Sequence, residues 1–234
     1  MNLSHLFILQ LMFQPCLQVL LTTYAEQPSY NAELGGDVIM GCRFQPLSQH
    51  PNEDLMISWW HSISSAQFRQ VYRMSRGQEQ VSLQHPDFIG RARLLTQEIK
   101  NGWAKLQVSN LRINDAGNYQ CVVRTRNGAD YKDIHLSVTA PYKTVTKNIT
   151  ESETGRELVL SCQSEGYPMT AVAWLDAHRQ HLNASTNIES TQDQLLRITT
   201  KIRVGSSQRN NYTCRFQSSG SSAAFLIPGK HELQ

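Results

Sequence analysis

The stretch Asp115-Ala-Gly-Asn-Tyr-Gln-Cys121 decides the fold of this chain. It places a tyrosine two residues before a cysteine, and it follows an earlier cysteine, Cys42, and a tryptophan, Trp59. A shorter form of the same stretch returns as Asn211-Tyr-Thr-Cys214, again after a cysteine and a tryptophan. One order of residue types therefore occurs twice in 234 residues, which indicates two domains of one kind.

This order of residues is typical of a sandwich of two β-sheets of the immunoglobulin type. In that fold the cysteines lie on strands B and F and join the sheets, the tryptophan on strand C packs on the disulfide, and the tyrosine anchors the corner before strand F. We expect the disulfides Cys42–Cys121 and Cys162–Cys214, with Trp59 and Trp174 packed on them. The chain is thus predicted to be all-β, with two tandem immunoglobulin domains that each hold one inter-sheet disulfide.

The spacing inside each pattern distinguishes the two domains. Between Trp59 and Leu106 there is room for two extra strands, C′ and C″, besides strand D, which is typical of a variable-type domain. The second cysteine pair is closer and fits a constant-type domain without those extra strands. We therefore predict a variable-type domain over 26–140, a constant-type domain over 141–230 and a tail over 231–234.

An apolar run from Leu6 to Leu21 predicts a signal peptide over 1–25, with cleavage between 18 and 25. The run contains Cys16, so its removal leaves the four paired cysteines, which suits an oxidising compartment. No later stretch has the roughly 18 consecutive apolar residues of a membrane span. We expect the chain to pass through the secretory pathway to the extracellular space or the outer side of the plasma membrane, without a membrane anchor of its own.

Composition and motifs argue against catalysis and against nucleic acid as a partner. The net charge of +3 is too small for the strongly basic face that nucleic-acid binding needs. The sequence has no Gly-x-Ser-x-Gly elbow, no phosphate-binding glycine loop and no Cys-x-x-Cys pair. His178 and His181 form an H-x-x-H, but no third ligand is near, so we interpret this segment as an exposed loop. We expect no enzymatic activity, no small-molecule substrate, no cofactor and no metal.

Three Asn-x-Ser/Thr sequons of the predicted mature chain indicate glycosylation, at Asn148, Asn183 and Asn211. All three lie in the second domain or at its first strand. Asn211 has the opposite parity to Tyr212 and Cys214, so its side chain is expected to point outward. The predicted first domain carries no sequon, which is compatible with protein recognition through one of its sheet faces.

Strand alternation gives the first domain an outward row that is more apolar than a solvated sheet face should be. Met56, Trp60, Val122 and Tyr131 fall on outward positions of strands C, F and G. Charged residues surround them: Arg124, Asp130, Lys132 and Asp133. Aromatic and methionine side chains inside a charged rim are typical of a protein-binding site. The alternative is that Trp60 and Tyr131 are half-buried under strand C′ or the F–G hairpin.

The F–G hairpin also carries a resemblance to a known family. Gly128-Ala-Asp-Tyr-Lys132 resembles the hairpin of immune-checkpoint ligands of the programmed death type, a costimulatory-type family of the immunoglobulin superfamily. Arg91-Ala-Arg-Leu-Leu95 and Glu165-Gly-Tyr-Pro168 are similar to the same family. The likeness extends from about Glu33 to Phe216 and keeps the family's order of a variable-type and then a constant-type domain.

The resemblance implies a ligand that binds an inhibitory receptor on T cells, similar to the programmed death receptor, and dampens T-cell activation. In that family the outward faces of strands C, F and G of the first domain make the contact. Met56 and Val122 keep only the apolar character of the family at their positions. Four hairpin residues keep the family residue itself: Ala129, Asp130, Tyr131 and Lys132.

Four outward positions depart from the family. Ser58 stands where the family has an aromatic residue, and Trp60 where it has a carboxylate. Gln120 and Asp133 stand where the family has arginine. Charge reversals at the rim of an interface alter the choice of partner more readily than the fold. We therefore expect a ligand with its own matched receptor.

We predict that Tyr131 is the central anchor of the contact, with Met56, Trp60 and Val122 as apolar neighbours. Three other functions remain open at this point. The chain is alternatively a stimulatory ligand, a soluble decoy of the same family, or a homophilic adhesion module that uses the same patch.

Overall fold

The computed structural model describes residues 21–45, 54–64, 67–126, 128–153, 155–207 and 209–228. Residues 1–20 of the predicted leader, with Cys16, and the predicted tail lie outside these ranges. Residues 23–25, which the predicted leader of 1–25 includes, pair with residues 42–44 of the first domain. We therefore propose that cleavage falls before Thr23, inside the predicted window of 18–25. Within them the chain is almost entirely β-structure, with short 3-10 turns at Val81–Leu83, Pro86–Phe88, Thr96–Asn101 and Ile113–Asp115. In this described part, no helix is long and apolar enough to cross a membrane.

The first domain consists of two β-sheets. The four-stranded sheet has the spatial order β1 (Thr23–Ala25), β3 (Val38–Phe44), β8 (Trp103–Val108) and β7 (Ala92–Leu94). The six-stranded sheet has the order β2 (Ser29–Glu33), β10 (Gly128–Thr139), β9 (Gly117–Thr125), β4 (Met56–Ser64), β5 (Gln67–Ser75) and β6 (Gln78–Glu79). Strands β5 and β6 occupy the places of C′ and C″, so the predicted variable-type architecture is confirmed.

The core of the first domain lies between these sheets, around the disulfide Cys42–Cys121. Alternate residues of β3 point inward, and Val38, Met40 and Phe44 are buried with Cys42. Trp59 on β4 is completely buried, as predicted for the tryptophan that packs on the disulfide. Because these inward residues fix the parity of β3 and β4, they also fix which side chains point to solvent.

The corner before β9 positions the strand that carries the second cysteine. Tyr119 is completely buried, and the centre of its ring lies 4.7 Å from that of His61 and 6.5 Å from that of Phe88. Gly117 has a φ of +137°, and a Cβ atom there would lie 2.7 Å from the carbonyl oxygen of Ser62. A glycine is therefore needed at this point for β9 to approach β4.

The second domain consists of two four-stranded antiparallel sheets. One has the order β11 (Thr146–Glu151), β12 (Glu157–Gly166), β16 (Leu196–Gly205) and β15 (Ser185–Ser190). The other has the order β14 (His181–Leu182), β13 (Val172–Leu175), β17 (Asn210–Phe216) and β18 (Ser222–Ile227). With the disulfide Cys162–Cys214, this sandwich confirms the predicted second immunoglobulin domain.

The core of the second domain is built around its tryptophan. Trp174 is completely buried, and its indole N–H donates a 3.1 Å hydrogen bond to the hydroxyl of Thr200. Phe225 packs against the same indole, with ring centres 5.4 Å apart. His178 and His181 are exposed at and near the start of β14. Among the residues described, no group of three His, Cys, Asp or Glu side chains is placed to hold a metal ion.

Candidate interaction surface

The predicted residues of strands C and F come together on one side of the six-stranded sheet. We call the side chains of β4, β5, β9 and β10 that point away from the core the outer face. Directly opposed residues of antiparallel strands point to the same side of a sheet. The register of β4 and β9 opposes three pairs on the outer face: Met56 with Arg124, Ser58 with Val122, and Trp60 with Gln120.

The apolar side chains of the outer face differ in exposure. Met56, Trp60 and Val122 are half-buried, whereas Tyr131 on β10 is 54% exposed. Trp60 opposes Gln70 of β5, so the strand predicted as C′ accounts for part of its burial. The alternative that the patch is covered thus holds in part for Trp60, while Tyr131 remains open to solvent. None of the four is fully buried, and all four keep surface that a partner could contact.

The hairpin residues of β10 divide between two sides of the strand, because successive residues point in opposite directions. Ala129, Tyr131 and Asp133 are exposed, and Asp130 and Lys132 are half-buried. Asp133 joins the outer face, where the Gln120 amide donates a 3.0 Å hydrogen bond to its carboxylate. Asp130 and Lys132 point away from it. The structure therefore does not place these two beside Arg124 and Asp133 in the predicted charged rim.

Asp130 instead joins the hairpin to β1 of the other sheet. One of its carboxylate oxygens accepts hydrogen bonds from the Thr23 N–H at 2.7 Å and the Thr23 hydroxyl at 2.9 Å, and the other accepts from the Tyr131 N–H at 2.8 Å. Burial raises the pKa of the Asp130 carboxyl, but these hydrogen bonds and the nearby Lys132 ammonium outweigh it, so the pKa lies below its usual value. Asp130 is therefore ionised and positions the backbone of Tyr131.

The outer face also contains residues of β5 that the sequence analysis did not select. Arg73 opposes Ser58, and Phe68 opposes Ser62. Phe68 is 58% exposed and extends the apolar part of the outer face. The register of β5 shifts between Trp59 and Trp60, so simple alternation along the sequence does not show which of its residues point outward. The only available signal was the presence of an aromatic residue and an arginine in a strand predicted to border the patch.

The three sequon asparagines are all exposed in the structure, at Asn148, Asn183 and Asn211. Asn148 lies on β11 and Asn211 on β17, which belong to different sheets of the second domain. Exposure is the geometric requirement for a glycan, so glycosylation at these positions stays a prediction that the geometry permits.

Two family models match this chain in the expected order. Residues 25–139 match the immunoglobulin V-set domain. Residues 146–223 match the model described as butyrophilin subfamily 3 member A2-like, Ig-C domain. The order of the two domain types therefore agrees with the one predicted from the cysteine spacing.

Three relatives of the chain carry the names of a programmed cell death ligand, a butyrophilin and a CD276 antigen homolog. The mouse protein "Programmed cell death 1 ligand 1" is 31% identical over 210 residues, which is 88% of this chain and 70% of the relative. Mouse "Butyrophilin subfamily 1 member A1" is 28% identical over 82% of this chain and 36% of its own length. "CD276 antigen homolog" of Xenopus laevis is 25% identical over 77% of this chain and 59% of its own length.

Solved structures agree on the fold. The chain is similar to bovine butyrophilin, with a TM-score of 0.73 at 20% identity over 89% of this chain and 99% of that one. It is also similar to a chain in the structure of ICOS in complex with ICOS-L and an anti ICOS-L VNAR domain, with a TM-score of 0.71 at 16% identity over 87% of this chain and 100% of that one. At these identities the likeness shows the tandem immunoglobulin architecture alone.

Proposed function

We propose that this chain, which belongs to the B7 and butyrophilin-like family of immune ligands in the immunoglobulin superfamily, binds an inhibitory receptor on T cells and reduces their activation. The family supports an immune-regulatory ligand and not an enzyme. The relative with 31% identity is named as a ligand of programmed cell death 1. A receptor similar to that one is therefore the partner we propose.

The observation that carries this proposal is the composition of the outer face. Tyr131 stands exposed at 54%, with Met56, Trp60 and Val122 half-buried on the same side of the sheet. Exposed aromatic residues next to partly buried apolar ones are typical of binding hot spots. A receptor that covers this face would bury about 800 Å² of this chain in an interface of standard size.

The site of action that we propose is the extracellular space or the outer surface of a cell. Two disulfides, one in each domain, suit an oxidising compartment. The sequon asparagines of the second domain are exposed, which is compatible with glycans added in the secretory pathway. A receptor on another cell is accessible from there.

A binding measurement with the extracellular domain of the programmed cell death 1 receptor from the same species tests the proposal. We expect Tyr131→Ala to weaken binding at least about 30-fold, or about 2 kcal/mol, because it removes an aromatic ring that is 54% exposed on the outer face. Thermal unfolding should change little, since the ring is exposed. Tyr24→Ala is the matched control, because Tyr24 is 63% exposed on the opposite sheet. Equal binding by both variants and the unmodified chain would reject the outer face as the site.

The sign of the signal needs a cellular assay, because the receptor's own tail determines it. T-cell activation with the purified chain, once soluble and once fixed on beads, separates three outcomes. Inhibition by the bead-bound form supports the proposal, activation by that form indicates a stimulatory ligand, and a block by the soluble form alone indicates a decoy.

The exposure of Phe68 and Tyr131 on one face favours homophilic adhesion as a second candidate. Sedimentation that depends on concentration, and that Trp60→Ser abolishes, would support it.

A further inference from the structure

The outer face contains a positively charged side chain, that of Arg73, directly opposite the small polar residue Ser58. Ser58 points outward but is only 4% exposed, because its cross-strand neighbours, Val122 on β9 and Arg73 on β5, carry longer side chains. The Arg73 guanidinium extends to the next outward residue of β4, where its Nη2 atom lies 3.3 Å from the sulfur of Met56. Arg73 is therefore packed among apolar side chains.

The hydrogen-bonding capacity of Arg73 is only partly used. Its Nε atom is buried, and no group in the described part of the chain accepts a hydrogen bond from it. Its Nη2 atom contacts a thioether sulfur, which is a weak acceptor. A cation that is partly withdrawn from water without strong acceptors is poorly stabilised. Arg73 is thus ready to bind an acceptor from outside the chain.

The carboxylates around the outer face are already engaged elsewhere. Asp130 accepts from Thr23 on the other side of the hairpin, and Asp133 accepts from Gln120. Arg124, which is exposed, opposes Met56 from β9. The ion pairs found within the described ranges involve neither Arg73 nor Arg124. The two guanidinium groups that flank Met56 therefore give this part of the face an excess of positive charge.

We propose that Arg73 determines which receptor the outer face binds, by binding a receptor carboxylate that lies between apolar side chains. This inference rests on the proposed function. A guanidinium binds a carboxylate through two parallel N–H···O bonds, which fixes orientation as well as adding affinity. Met56, Trp60 and Val122 exclude water around this pair, and a lower local dielectric strengthens it. The partner is accordingly a receptor domain with an Asp or Glu inside an apolar patch.

Substitution of Arg73 tests this inference against the extracellular domain of the programmed cell death 1 receptor from the same species, at 50 and 500 mM NaCl. We expect Arg73→Gln to weaken binding at least about tenfold and to reduce its salt dependence, because the charge is lost while length is kept. Arg73→Lys should keep the salt dependence but lose affinity at least about threefold, since an ammonium cannot bind a carboxylate in the bidentate geometry. Arg93→Gln is the matched control and should stay within about twofold. Arg93 is exposed on the opposite sheet, where its guanidinium bonds Gln107.

The outcomes separate this inference from the proposed function. If Arg73→Gln binds like the unmodified chain at both salt concentrations while Tyr131→Ala binds weakly, the carboxylate contact is overturned and the outer face stands. If the unmodified chain does not bind the receptor domain, both are overturned. If Arg73→Gln lowers the unfolding temperature, the Arg73→Lys variant tests the contact instead. Binding by Arg73→Lys that still depends on salt supports the carboxylate contact, and binding that no longer depends on salt overturns it.

Discussion

Asp130 supports the proposed binding site although its side chain is not part of the outer face. It precedes Tyr131 in the chain, but its carboxylate points to the opposite side of β10 and accepts hydrogen bonds from Thr23. Thr23 is buried, so this contact fixes the end of β1 against the hairpin. The same carboxylate holds the Tyr131 N–H, and it therefore sets the backbone from which the exposed ring projects. Its effect on binding would be indirect, through the position of Tyr131.

We predict that Asp130→Asn lowers the free energy of unfolding by about 1–2 kcal/mol at pH 7, because hydrogen bonds to a charged acceptor are replaced by weaker ones. The folded-state pKa of Asp130 is lowered, and an unfolded Asp has a pKa of about 3.9. Its ionised form therefore stabilises the fold above about pH 4, and that contribution disappears as the pH falls through the folded-state pKa. Urea unfolding between pH 7 and pH 2.5 should show the difference between Asp130→Asn and the unmodified protein narrowing with acid.

Asp133→Asn serves as the control for this pH series, since Asp133 is exposed and bonds only the Gln120 amide in the described structure. Its effect should stay below about 0.5 kcal/mol. A loss for Asp130→Asn that is the same at every pH would contradict the proposed role of the carboxylate charge.

At the scale of the strands, the cysteines and tryptophans explain how much could be predicted. Cys121 and Trp59 must point into the core, so the outward residues of β9 and β4 follow by alternation, and the structure confirms that Met56, Trp60 and Val122 share a face. Strand β5 could not be aligned in this way, because it has no such marker and its register shifts at Trp59/Trp60 and Ser62/Ser64. Arg73 was missed for that reason. The Asp130–Thr23 contact joins residues 107 positions apart, which no local pattern reveals.

Gly117 gives a prediction about how β9 is held against β4. A Cβ atom there would lie 2.7 Å from the Ser62 carbonyl oxygen and 2.9 Å from the His61 Nε2 atom. We expect Gly117→Ala to lower the free energy of unfolding by about 2–4 kcal/mol, from backbone strain together with this clash. Gly128→Ala is the matched control, because Gly128 has the same φ of +137° but nothing within 4 Å of the added carbon. If thermal unfolding shows the same loss of stability in both variants, the predicted clash at residue 117 does not destabilise the fold, and the prediction is wrong.

At the scale of the whole molecule, the two domains carry different features. The first domain holds the outer face, and no sequon falls within the predicted 26–140. The second domain holds all three exposed sequon asparagines of the predicted mature chain. Glycans on the second domain would leave the side chains of the outer face unmodified. This division supports protein recognition by the first domain, and recognition through its six-stranded sheet is the central claim of the proposed function.

Hydroxyl-radical footprinting of the chain with and without the receptor's extracellular domain tests that claim most directly, because methionine and aromatic side chains react readily when exposed. Tyr131 and Phe68 report on the outer face, and Tyr24 on the opposite sheet serves as an internal control with comparable exposure. We predict that the receptor protects Tyr131 and Phe68 from oxidation and leaves Tyr24 unchanged. Protection of Tyr24 with continued oxidation of Tyr131 and Phe68 would contradict binding through the outer face.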